Sequence, residues 1–111
     1  MPTSDDNGQR ALEELDKAFR IEPGNIGVLS LLGEVALKVG DLKKAQQMYR
    51  ALLLQKLDEG GPIKKAVVFV RLGDIHSQLG EKPKAQQMYE RALQTDAGLE
   101  EARTKLAAAK A

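Results

Sequence analysis

The stretch from Leu32 to Tyr49 recurs forty residues later, from Leu72 to Tyr89. Nine of eighteen positions are identical, among them Lys44-Ala45-Gln46-Gln47-Met48-Tyr49 and its copy Lys84-Ala85-Gln86-Gln87-Met88-Tyr89. Four more are conservative: Glu34 with Asp74, Val35 with Ile75, Val39 with Leu79, and Asp41 with Glu81. Agreement at a fixed period means that one small supersecondary unit occurs twice, and such units bury their apolar sides by stacking.

The apolar spacing identifies the unit as helical. Ala11, Leu12, Leu15, Ala18, Phe19 and Ile21 follow steps of three and four, the stripe of an amphipathic helix from Gln9 to Glu22. Residues 1–8 are expected to form a frayed, disordered tail. Glu13 with Lys17 and Asp16 with Arg20 are acid-before-base pairs four apart. Pro23-Gly24 ends that helix. Asn25 is expected to cap a second helix, which runs through Val28, Leu29, Leu32, Val35, Ala36 and Val39 to Gly40. Asp41 is expected to cap a third, reaching about Leu57. Pro62 suits the first turn of a fourth, which passes through Ala66, Phe69, Leu72, Ile75 and Leu79. Within it, Val67-Val68-Phe69-Val70 is apolar on every side, so a buried strand competes locally. Its repeat partner favours helix, covered on two faces. Pro83 opens a fifth helix and Asp96 is expected to cap a sixth, whose narrow stripe is Leu99, Ala102, Leu106 and Ala109. The fold class is all-α: six helices, very short turns, antiparallel neighbours.

Composition narrows the function classes. With two tyrosines, two phenylalanines and no tryptophan, the core must be built from aliphatic side chains. The net charge of +1 comes from interspersed acids and bases, without the basic stripe that a nucleic-acid backbone calls for. There is no cysteine, hence neither a disulfide frame nor a thiolate metal site. No apolar run approaches the roughly 18 residues of a membrane span. The polar, acidic N-terminus is the opposite of a secretory signal, so the cytoplasm is the expected compartment, although a piece of a longer exported chain would read the same.

Leu32-Gly33, Gly40-Asp41, Ala45 and Tyr49 resemble the signature of the tetratricopeptide repeat, and Leu72-Gly73, Gly80-Glu81, Ala85, Tyr89 and Ala92 give it again. Gly33 and Gly73 would let the two helices of a hairpin approach closely, with Tyr49 and Tyr89 filling the gap beyond Ala45 and Ala85. The resemblance implies a half repeat over residues 9–24, repeats over 25–59 and 62–96, and a terminal capping helix over 97–111, stacked as a short right-handed α-solenoid. Three departures stand out. The period is forty rather than the family's roughly 34, and the extra residues are expected to lengthen the hairpin around Leu57 to Lys65. Ala36 and His76 replace a common bulky aromatic. The opening helix lacks its first-type partner and so is expected to expose part of Ala11, Leu15 and Phe19.

No catalytic or phosphate-binding motif occurs, and the lone His76 cannot make a metal site by itself. Asp41, Glu59, Glu81 and Asp96 read as helix caps and dipole partners. The chain is therefore expected to be no enzyme and to need no cofactor. The resemblance implies a concave groove lined by Gly27, Ser30, Leu31, Glu34 and Lys38 from one first-type helix. Val67, Val70, Arg71, Asp74, Ser77 and Gln78 come from the other. It implies an interaction module holding a peptide or helix of another protein there. Some members clamp the acidic C-terminus of heat-shock chaperones through asparagines, but Glu34 and Asp74 stand at those places and would repel a carboxylate. The rival expectation is self-assembly into a homodimer through the unpaired first helix or by helix exchange. A third arrangement is a segment of a longer array.

Overall fold

The computed structural model describes residues 4–111, with side chains from residue 7 onward. All regular elements among them are helices: α1 (Ser4–Ile21), α2 (Ile26–Val39), α3 (Leu42–Leu53), α4 (Lys65–Gln78), α5 (Lys82–Thr95) and α6 (Glu100–Lys110). The valine-rich span is helical, with Val68, Phe69 and Val70 all buried in α4. The chain divides into two compact units, residues 1–57 and 58–111. In the first, α2 packs on α1 and α3. In the second, α4 packs on α5, and α6 covers parts of both.

Each unit is built on the same hairpin. Gly40 and Gly80 adopt positive φ, 83° and 77°, which closes the turn at little steric cost. The amide of Asp41 bonds the carbonyl of Ala36 at 2.9 Å, and that of Glu81 bonds the carbonyl of His76 at 2.8 Å. Both are six-to-one closures of a helix end, and they turn the chain straight into the next helix. Asn25 and Asp41 cap as expected: their side chains accept from the amides of Val28 (3.0 Å) and Lys44 (3.1 Å).

Beyond the turn, a glycine meets a tyrosine. A β-carbon on Gly33 would lie 2.8 Å from Cζ of Tyr49, and one on Gly73 would lie 2.5 Å from Cε1 of Tyr89. The ring thus occupies the volume that any other residue would need. Around it, Leu29, Leu32, Ala36, Ala45 and Leu52 are fully buried in the first unit, as are Val68, Val70, Ile75 and Ala92 in the second. Each large aliphatic side chain withdrawn from water contributes about 1.5–3 kcal/mol.

The sequence-based expectations need four corrections, three of boundaries and one of ion pairing. First, helix starts at Ser4, ahead of the apolar stripe, because an exposed turn of helix leaves no apolar signature; residues 1–3 of the expected tail lie outside the described residues. Second, α3 ends at Leu53 and α4 begins only at Lys65, so residues 54–64 form a long connection rather than longer helices, and Pro62 lies within it. Third, Asp96 does not cap α6: it ends α5, and its carboxylate accepts from the amide of Gly98 at 3.1 Å, a local turn that delays the helix to Glu100. Fourth, Lys17 pairs with Glu14, and Asp16 reaches Lys44 of α3 at 2.9 Å instead of pairing along its own helix.

We expect Gly73→Ala to lower stability by about 1–3 kcal/mol, the usual cost of overpacking. Chemical denaturation followed by circular dichroism measures it, and an unchanged midpoint would show that the Tyr89 ring gives way freely.

Candidate functional site

The residues expected to line a groove fall on matching faces of α2 and α4, but the two faces differ. On α2, Ser30, Leu31, Glu34 and Lys38 are spaced so that they share one side of the helix. Leu31 is a large apolar side chain that remains 50% exposed. Glu34 and Lys38 are both exposed and form a loose pair at 3.5 Å. Ser30 and Gly27 are half-buried. The result is an apolar centre with a charge of each sign beside it.

On α4 the equivalent positions are largely occupied. Val70, forty residues after Ser30, is completely buried, so it serves the core and offers no surface to a ligand. Val67 is half-buried, while Ser77 and Gln78 are exposed. Arg71 and Asp74, expected to face a ligand, face α6 instead. The Arg71 guanidinium lies 2.6 Å from Glu101 and 3.2 Å from Asp74, and Lys105 lies 2.8 Å from Asp74 and 3.0 Å from Glu101. Asp74 also accepts from the Tyr89 hydroxyl at 2.8 Å. One carboxylate therefore joins the ring that fills the hairpin to the charges that hold the terminal helix. Farther along, Gln86 Nε2 donates to the carbonyl of Ala109 at 2.8 Å.

This arrangement shifts the groups in it. Burial, then the Asp74 carboxylate, holds the Tyr89 phenol well above its ordinary range. Burial opposes the charge on Arg71, but hydrogen bonding to Glu101 and the nearby negative charges more than offset it. The hydrogen bond from Arg71, then that from Lys105, holds the Glu101 carboxyl below its usual value. None of this resembles the tuning of a catalytic acid or base: each shift favours the charge state that the group already has near neutrality.

Among the described residues, His76 is the one buried side chain of ionisable polar type in the core apart from the tyrosines, 6% exposed. Its Nδ1 lies 3.0 Å from Oε1 of Glu81, across the turn between α4 and α5. A carboxylate only accepts, so Nδ1 must carry the proton. The bond from His76, followed by that from Lys84, lowers the Glu81 carboxyl. His76 is thus a structural strut at a place where an aromatic ring would be expected, and Glu81, which stands at the start of α5, spends its side chain on it rather than on a cap. No cluster of three metal-ligating side chains occurs among the described residues, and among them no helix is long and apolar enough to cross a membrane.

The signature glycines, alanines and tyrosines sit in the hairpin packing just described, and residues 26–97 match the family model of the tetratricopeptide repeat. The chain belongs to that family. Among solved structures, it is similar to the crystal structure of BtubC (BKLC) from P. vanneervenii, at 27% sequence identity and a TM-score of 0.54, over 94% of this chain and 44% of that one. The chain thus spans less than half the length of that relative. No curated protein matches it. Tetratricopeptide repeats generally mediate protein–protein interaction and are a non-catalytic scaffold family.

Because Glu101 titrates lower when folded than its ordinary value of 4.5, its contribution is complete above that pH and is lost as the pH falls through the lowered value. Acidification below the ordinary value of Glu101 is expected to loosen α6 before the rest of its unit. Cα chemical shifts along α6 should move toward coil values in that window, and Glu101→Gln should flatten the response; no difference between α6 and α5 would count against this.

Proposed function

We propose that this chain is a protein-interaction module that holds a peptide or helix of a partner protein against the first-type helices of its repeats. The observation that carries the reading is the face of α2. Leu31 stands half exposed between Ser30 and the Glu34–Lys38 pair, so that one side of α2 offers an apolar group flanked by a charge of each sign. An apolar anchor beside both signs of charge suits an amphipathic peptide better than a uniformly acidic one. On α4, taken by itself, Val67 and Gln78 belong to the same reading, whereas Arg71 and Asp74 are engaged by α6 and Val70 lies in the core. The partner is a protein; neither nucleic acid nor membrane insertion enters the reading, nor does a cofactor. The cytoplasm is the compartment it fits.

A second reading is self-association through α1. Ile21 is 86% exposed, and Leu15 and Phe19 are only half-buried, so the end of α1 carries apolar surface that another copy could cover. Light scattering across a wide concentration range distinguishes it, since a strict monomer at high concentration would end it.

For the first reading, peptides selected from a random displayed library on the purified chain serve as probes. They should bind the Leu31→Ser/Glu34→Lys chain about ten-fold more weakly or worse, as expected when an anchor and a charge partner are lost together. The helical circular dichroism signal should stay intact. Selected peptides that bind both chains equally would place the binding surface elsewhere.

A further inference from the structure

In α3 and α5, three positions spaced four and three apart lie toward the first helix of the hairpin: Ala45, Tyr49 and Leu52, then Ala85, Tyr89 and Ala92, with the rings against Gly33 and Gly73. All six are buried. α1 carries the same spacing at Ala11, Leu15 and Ala18, but there each is only half-buried. Among the described residues, α1 packs on α2 alone. The side that α3 and α5 turn to a partner helix is therefore open in α1. Ile21, one turn beyond Ala18, extends it and is 86% exposed.

The corresponding side of α6 is closed. Leu106-Ala107 follows Ala85 at the spacing that sets Leu32-Gly33 after Ala11, so α6 stands to α5 as α2 stands to α1. By that alignment the fully buried Leu29 and Ala36 of α2 correspond to Arg103 and Lys110, both exposed. Arg103 is already engaged, with Glu100 at 3.2 Å and the carbonyl of Ala97 at 3.0 Å. Docking α1 of a second copy there would bury two cations where α2 presents aliphatic groups, at a large desolvation cost. What the open side of α1 can meet on a second copy is the same open side.

We infer that α1 pairs antiparallel with α1 of a second copy, about a two-fold axis beside Leu15. The order of charges carries the choice. Glu14 and Lys17 stand on the rim of the open side, both mostly exposed, and pair with each other at 3.2 Å. Antiparallel pairing sets Glu14 of one copy opposite Lys17 of the other, twice over, because the axis lies between them. It also sets Ala11 opposite Ala18, where small side chains let the helices approach, and lays the stem of Arg10 along Ile21. Parallel pairing would set like charge on like at both positions. This inference rests on the reading of self-association through α1 and adds its orientation, register and deciding residues. One pair of helices about 27 Å long makes a small interface, so the dimer is weak and forms at high concentration.

The chain has no cysteine, so single substitutions report contact by disulfide formation without background. Ala11→Cys and Ala18→Cys chains, one bearing a mass tag, are oxidised separately and as an equimolar mixture, at a concentration where light scattering shows the wild-type dimer. The mixture should give covalent heterodimer at about ten times the level of either homodimer. Positions 11 and 18 meet across the axis, whereas each lies roughly 10 Å along the helix from its own counterpart, too far for a disulfide. Independently, the E14K and K17E chains, altered only on the exposed rim, should each associate about five-fold more weakly than wild type. Their mixture should recover the loss, because the heterodimer restores both charge pairs. Disulfides within a single cysteine variant, or none in the mixture, would overturn the antiparallel register. A dimer indifferent to E14K and K17E would place the contact away from this rim. Both results leave self-association itself standing, whereas a wild-type chain that stays monomeric at every concentration ends it together with this inference.

Discussion

The contact between a glycine and a tyrosine sets the geometry of each hairpin. The space a β-carbon would need at Gly33 or Gly73 is filled by the ring of Tyr49 or Tyr89, so the helices can approach only while that position stays bare. The rest follows from this approach. Ala45 and Ala85 are buried because the facing helix is near, and the left-handed glycines at 40 and 80 let the chain reverse within a few residues. In the second unit the ring also reaches past the hairpin, because its hydroxyl anchors Asp74, which in turn binds Lys105. The packing of the hairpin and the attachment of the terminal helix thereby share one side chain.

The hairpins are legible in the sequence because their signals are local. A repeat of eighteen positions, cap residues at Asn25 and Asp41 and glycines at 40 and 80 all act within a few residues of their own place in the chain. The boundaries that differ are places where a local signal has two meanings. Pro62 satisfies the first turn of a helix and equally a loop, and it lies with Gly60 and Gly61 in the connection between α3 and α4. Asp96 is a good cap and a good turn former, and the amide of Gly98 lies closer.

The faces of α2 and α4 cannot be told apart from sequence. Arg71 and Asp74 have the spacing of an exposed ion pair, as Glu34 and Lys38 do. Their partners Glu101 and Lys105 lie some thirty residues onward, at a separation that helical periodicity does not encode. Val70 is a similar case. A valine in an apolar run carries no mark of which of its faces water reaches, and only the packed chain shows it enclosed. From sequence alone His76 reads only as a lone histidine, in the core or on the surface, that cannot make a metal site by itself, and its partner Glu81 reads as a cap. The reach of a glutamate back across a turn is a matter of three-dimensional distance.

The near identity of the two ring-and-notch pairs has a consequence for how the chain reaches its native state. Tyr49 sits against Gly33 and Tyr89 against Gly73, each at the end of the same six-residue run. Nothing in the Lys-Ala-Gln-Gln-Met-Tyr run tells a folding helix which partner to choose. Correct matching is left to chain connectivity. A turn of a few residues closes at a smaller entropic cost than the connection through residues 54–64, by about 1–2 kcal/mol, which favours the hairpins seen. Duplication supplied a reliable joint twice, and the brevity of each turn keeps the copies from exchanging partners.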